Sequence, residues 1–149
     1  MLQSVSARIP ALYLRAQVAM ASLESAPQHA AARIAEACGF AKQIEAECDP
    51  LATVVAPLAH AMVNRAAGDV SGAVASLRRA IDRAEATGTR LFLVPARHRL
   101  GLLLGGDEGR AMVAAAEAEL RAQGVRNPAK WMGVHLPWPS MDSVPSPTC

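Results

Sequence analysis

The stretch LGLLLGGDEGRAMVAAAEAELRAQGVRNP, Leu100 to Pro128, decides the fold. An apolar helical run ends at two glycines, an alanine-rich run follows, and a third start signal closes the stretch. Gly105 and Gly106 can take the left-handed backbone that ends a helix, and Asp107 is placed to cap the next one. Gly124 supplies a second stop. Asn127 before Pro128 is a capping side chain ahead of a first-turn proline. The order is helix, corner, helix, corner, helix.

The same punctuation recurs upstream. Ile9, Leu12, Ala16, Ala19 and Leu23 share one face of a helix expected from about Pro10 to Leu23. Ala30, Ile34, Ala37, Ala41, Ile44 and Cys48 do so for a second helix, from about Pro27 to Glu47. Gly39 sits inside that helix at a cost of about 1 kcal/mol, which predicts close packing or a bend there. Asp49–Pro50 starts a third helix running to about Ala67, and Pro57 inside it predicts a kink or a later start. Gly68–Asp69 repeats the glycine–aspartate corner ahead of a fourth helix, Val70 to Thr87, which Gly88 ends. A fifth is expected from Arg90 to Leu104 with Pro95 in its early turns, a sixth from Asp107 to Gln123, and a short seventh from Pro128 to Gly133. Residues 1–136 thus read as one helical-repeat domain. The proline-rich end, residues 137–149, reads as a disordered tail in which Trp138 is the one side chain suited to dock.

Composition points the same way. Apolar residues make up 52% of the 149 and aromatics 3%, while alanine, the best helix former, fills 32 positions. Strand-favouring residues are sparse and never alternate. The fold expected is all-α: antiparallel helix pairs in a degenerate tetratricopeptide-like right-handed solenoid of about six to seven helices. Leu58 to Gly88 is the best unit, with Ala73, Leu77 and Ala80 giving a small–large–small pattern after Asp69. Ala111, Ala115 and Ala118 repeat that spacing after Asp107.

A net charge of +2 is too small to point to nucleic acid. No apolar run reaches the ~18 residues of a membrane span, and MLQSVSARIP lacks the pattern of a secretory signal. Cys38, Cys48 and Cys149, an odd number at uninformative spacing, read as reduced thiols of a cytoplasmic protein.

The segment from Arg97 to Leu136, and less strongly the chain from Leu51 onward, resembles the C-terminal segment of large multidomain bacterial serine/threonine protein kinases of the myxobacterial type, the run RHRLGLLLGGDEGRAMVAAAEAELRAQGVRNPAK carrying the likeness. In those proteins a kinase domain is followed by an AAA-type ATPase and degenerate tetratricopeptide-like helices. The GGDEGR corner, the alanine-rich helix and the RAQGVRNPA run carry the likeness; Pro95 and the Trp131 to Trp138 region depart from it. The resemblance implies a regulatory or partner-binding segment. No glycine-rich nucleotide loop, HRD-type catalytic loop, DFG or Walker lysine motif occurs, so neither phosphoryl transfer nor nucleotide binding is expected of this chain.

No residue pattern nominates a catalytic, cofactor or metal site. GGDEGR lacks the lysine and serine of a phosphate loop, and Asp107 with Glu108 would repel an anion. Their adjacency also points them to different sides of a helix, unlike a cooperating acid pair. His29, His60, His98 and His135 never fall at ligand spacing with each other or with the cysteines. Arg78, Arg79, Arg83, Arg90, Arg97 and Arg99 form a basic set whose simplest reading is a solvated face, with Asp82 and Glu85 among them and no interleaved aromatics. The expected partner is a protein or peptide in a concave helical groove. An end helix without a neighbour also leaves an apolar face through which two copies could pair. The alternative is the helical arm of an ATPase-type transcription regulator, which would bind DNA at physiological salt.

Overall fold

A computed structural model describes residues 3–139, with side chains described from residue 7 onward. The described residues form seven α-helices and no strand: α1 (Gln3–Ala21), α2 (Ala30–Glu45), α3 (Pro50–Ala66), α4 (Val70–Thr87), α5 (Arg90–Leu104), α6 (Gly106–Ala122) and α7 (Pro128–His135). Each helix packs on the next along the chain, and α1, α3 and α5 also touch in turn. None is long and apolar enough to cross a membrane.

The capping chemistry explains most of the boundaries. The Asp49 carboxylate accepts from the Leu51 N–H at 2.7 Å, that of Asp69 from Gly72 at 2.8 Å, and the Asn127 amide oxygen accepts from Lys130 at 3.0 Å. Gly88 closes α4 in the left-handed region at φ 69°. Other boundaries differ from expectation. α1 begins at Gln3 and carries Pro10 inside it. Pro27–His29 forms a separate 3-10 turn, so α2 starts at Ala30. α7 continues past Gly133 to His135.

α3 is the central helix. Val54, Leu58 and Met62 are fully buried, and Ala56, Ala59 and Ala61 on its other sides are equally so. A helix apolar all round is one surrounded by others, here α1, α2, α4 and α5. Pro57 lies inside this unbroken helix, which starts at Pro50 and not later. A hollow lined by Thr53, Ala56 and Pro57 opens beside the turn whose hydrogen bond the proline removes. Of the two readings of Gly39, close packing is set aside, since a Cβ there would meet nothing within 4 Å.

The corner that decides the fold is built differently from its reading. Gly105 and Gly106 both have positive φ, at 63° and 60°. The residue at the cap position of α6 is Gly105, and Asp107 lies in the first turn, 98% exposed, paired with Arg110. Moving the cap shifts the register by two. Ala111, Ala115 and Ala118 are exposed, and the side facing α5 carries Gly109, Val113, Ala116 and Leu120. These stand 4, 8, 11 and 15 residues after Gly105, the same offsets at which Ala73, Leu77, Ala80 and Ala84 follow Asp69 and are buried. The reason for the shift is a close crossing. A Cβ on Gly101 would sit 2.7 Å from the Gly109 carbonyl oxygen, and a Cβ on Gly109 would run into the carbonyl of Gly101. α5 and α6 thus meet backbone to backbone.

α7 docks through its last turn, where helical carbonyls lack partners. The Tyr13 hydroxyl donates to the His135 carbonyl at 3.0 Å, and the Gln17 amide donates to those of Val134 and His135 at 3.2 and 2.6 Å. From α5, Arg99 donates through Nε and Nη2 to the Leu136 carbonyl at 3.3 and 3.0 Å. Burial pushes the Arg99 pKa down to about 10, so it keeps its charge at neutral pH. The Trp138 ring lies 5.8 Å from the Arg99 guanidinium and packs on the main core. The rest of the expected tail, residues 140–149, is outside the described residues. Cys48 is a free exposed thiol, and Cys149 lies outside the described residues.

Candidate functional site

The odd-numbered helices line up side by side and leave a groove between them. α1 contributes Tyr13, Leu14 and Gln17, α3 contributes Leu51 and Val55, α5 contributes Leu91 and Phe92, and α7 contributes Val134 and His135. The hollow measures about 260 Å³. That lies just under the ~300–1,000 Å³ of small-molecule sites and suits one or two apolar side chains.

Its chemistry is that of an apolar socket. No Asp, Glu, Lys or Arg is among the lining residues. Two of its polar side chains are engaged: Tyr13 and Gln17 donate to the α7 carbonyls. Burial raises the Tyr13 pKa, so the phenol stays protonated, and burial lowers that of His135, so the imidazole is neutral at pH 7. The His135 ring lies tilted against Trp131 with centroids 4.0 Å apart, and Tyr13 meets Phe92 edge-on at 5.6 Å and 87°. The walls are therefore held by rings and hydrogen bonds. The rim is apolar and open to solvent, with Leu14 58%, Leu91 50% and Val134 66% exposed.

The residues singled out from sequence fall elsewhere, His135 excepted. GGDEGR is a helix corner with Glu108 exposed. Among the described residues no three His, Cys, Asp or Glu are grouped to hold a metal. His60 faces Glu45 at 3.2 Å. His98 is buried between α5 and α6 with Nε2 3.7 Å from Glu117 and Nδ1 unbonded. The six arginines do not converge. Arg99 is buried under Leu136, Arg97 pairs with Glu85 at 2.7 Å, and Arg79 lies 4.0 Å from Glu45. Arg78, Arg79 and Arg83 share one shallow hollow on α4 with Asp82 among them.

Tyr13, Gln17 and Phe92 line this groove, and the sequence pattern did not single them out. One signal was available: the chain has one tyrosine and two phenylalanines, and a rare ring in an alanine-rich helix marks a place where helices stand apart. The described residues thus form an all-α fold with an uncharged groove across one helical face. Comparison with protein-family models, curated proteins and solved structures finds no match to this chain.

Proposed function

We propose that the chain is a non-catalytic protein-interaction module, a degenerate tetratricopeptide-like array whose odd-numbered helices receive an apolar segment of a protein partner. The observation that carries this reading is the groove among Tyr13, Val55, Phe92 and His135, which has no charged lining and an exposed apolar rim. An exposed apolar patch without charged groups gains free energy by being covered. The shared offsets of inward-facing residues after Asp69 and Gly105 support a repeat origin. Stacked helix pairs use such an extended face for binding. The likeness of Arg97 to Lys130 to the tails of multidomain kinases supports a regulatory setting.

Selection from a random peptide library against the full chain tests this. The peptides recovered are expected to carry a large apolar residue, to bind the wild type, and to lose binding to Leu91→Glu. Peptides that bind Leu91→Glu as well as wild type, or acidic peptides competed by changes at Arg78 and Arg83, would overturn it.

A further inference from the structure

Past α7 the chain continues as Leu136, Pro137, Trp138 and Pro139. A proline fixes its own φ at about −65° and keeps the residue before it out of the helical region, so all four positions are held extended. Leu136 takes φ −143° and ψ 82°. Leu136 and Pro139 are buried, with the two residues between them half-buried. That three-residue period is the turn of a proline-rich extended chain. The segment lies against α1 and α5, with the Leu136 side chain in the main core.

The face that holds it presents donors. The Gln17 amide, the Tyr13 hydroxyl and the Arg99 guanidinium donate to the successive carbonyls of Val134, His135 and Leu136. The segment answers with acceptors. Pro137 and Pro139 carry no N–H, and the Leu136 N–H is already bonded to the Met132 carbonyl at 2.8 Å. Side chains reading successive main-chain carbonyls, with a cation 5.8 Å from the Trp138 ring centre, make the arrangement by which proteins receive proline-rich peptides. Every peptide has such carbonyls, so the arrangement does not require the segment to belong to the same chain. The fit is also incomplete. A hollow of about 310 Å³ bounded by Met20, Ala21, Glu24, Arg99 and Trp138 stays open beside the ring, whereas a core position is packed without voids of that size. Arg99 itself is 9% exposed. A guanidinium so buried needs an oxygen facing it, so whatever fills the site must bring a carbonyl.

We infer that residues 136–139 are an internal ligand, and that the site they fill receives from a partner protein an extended segment of the same kind, which displaces them. Its chemistry is an apolar residue, a proline, an aromatic residue and a second proline. The inference rests on the α1–α3–α5 face being an interaction surface and names the class of segment received there. A partner competes with a segment tethered at millimolar effective concentration, so its apparent affinity falls by the fraction of molecules whose site is vacant.

The test is the binding of a fluorophore-labelled peptide of residues 133–139 to the full chain and to full-length Trp138→Ala, read by anisotropy, with circular dichroism on both. Removing the ring weakens the internal ligand, so Trp138→Ala should bind the peptide at least about tenfold more tightly than wild type does. A peptide carrying Pro137→Ala and Pro139→Ala is no longer pre-organised and should bind at least about tenfold more weakly. Equal affinity of the two chains, equal affinity of the two peptides, or no binding overturns the inference. Should Trp138→Ala lose helicity, the wild type decides: millimolar peptide should make its own Leu136 amide exchange several-fold faster by NMR, and an unchanged rate overturns the inference. The groove reading fails separately, in the peptide selection at Leu91.

Discussion

The crossing of α5 and α6 sets up a comparison between two glycines in one protein. Gly109→Ala adds a methyl group where the nearest atom is the carbonyl of Gly101, and Gly39→Ala adds the same methyl where nothing lies within 4 Å. At Gly109 the obstacle is backbone, so relief requires the two helices to move apart, breaking the fit of Met112 and Val113 over Gly101. Overpacking of this kind costs about 1–3 kcal/mol, and a backbone clash belongs at the upper end. The alanine recovers about 1 kcal/mol of helix propensity. The net is a loss of about 2 kcal/mol, or about 4–8 °C in Tm for a chain of this size. Gly39→Ala gains the propensity term alone and should stabilise by about 0.5–1 kcal/mol. Urea unfolding of both variants followed by circular dichroism measures the difference. A Gly109→Ala protein as stable as wild type would refute the account of this corner, as would a Gly39→Ala protein less stable than wild type.

Leu77→Ala should cost about 2–5 kcal/mol, because Leu77 is fully buried between α3 and α4; an unchanged melt would show the register of α4 to be misread. Asp69→Ala should lower the Tm, while Asp107→Ala should leave it in place, since only Asp69 caps its helix; equal effects would contradict the cap at Gly105. Acidification should also destabilise the fold. Burial lowers the pKa of both His98 and His135 below the ordinary 6.5, so the unfolded chain takes up protons that the folded chain resists. Stability is then full above pH 6.5 and declines as the pH falls below it. Melts at pH 7 and pH 5 should differ by less in His98→Phe than in wild type, and an equal difference would remove His98 from the explanation. Asp69, whose pKa its hydrogen bonds lower, adds its own loss only nearer its ordinary 3.8.

The groove was less legible than the helices because a groove is a relation among helices. Tyr13 reads as one more residue on an apolar helix, and Gln17 as a solvated polar one. Their work, holding the carbonyls of Val134 and His135, joins positions more than a hundred residues apart. No local pattern encodes which helix end will arrive there. The arginines show the converse. A cluster along the chain from Arg78 to Arg99 is split by packing into exposed, paired and buried members.

By itself the sequence determined the number of helices, where α4 and α5 begin and end, the caps at Asp49, Asp69 and Asn127, and the buried line Ala73, Leu77, Ala80. These depend on interactions within a few residues: a side chain reaching its own first turn, a glycine free to take positive φ, an apolar period of 3.6. Tertiary structure alone decided the register of α6. Asp107 is the better capping residue, yet the helix starts at Gly106, because the glycine that must lie under Gly101 is Gly109. It also decided that Pro57 stays inside an unbroken helix and that α7 closes a groove with α1, α3 and α5. The physical reason is common to all three. A local preference is worth about 1 kcal/mol, whereas the contacts made when whole helices close on one another are worth several, and where the two conflict the packing wins.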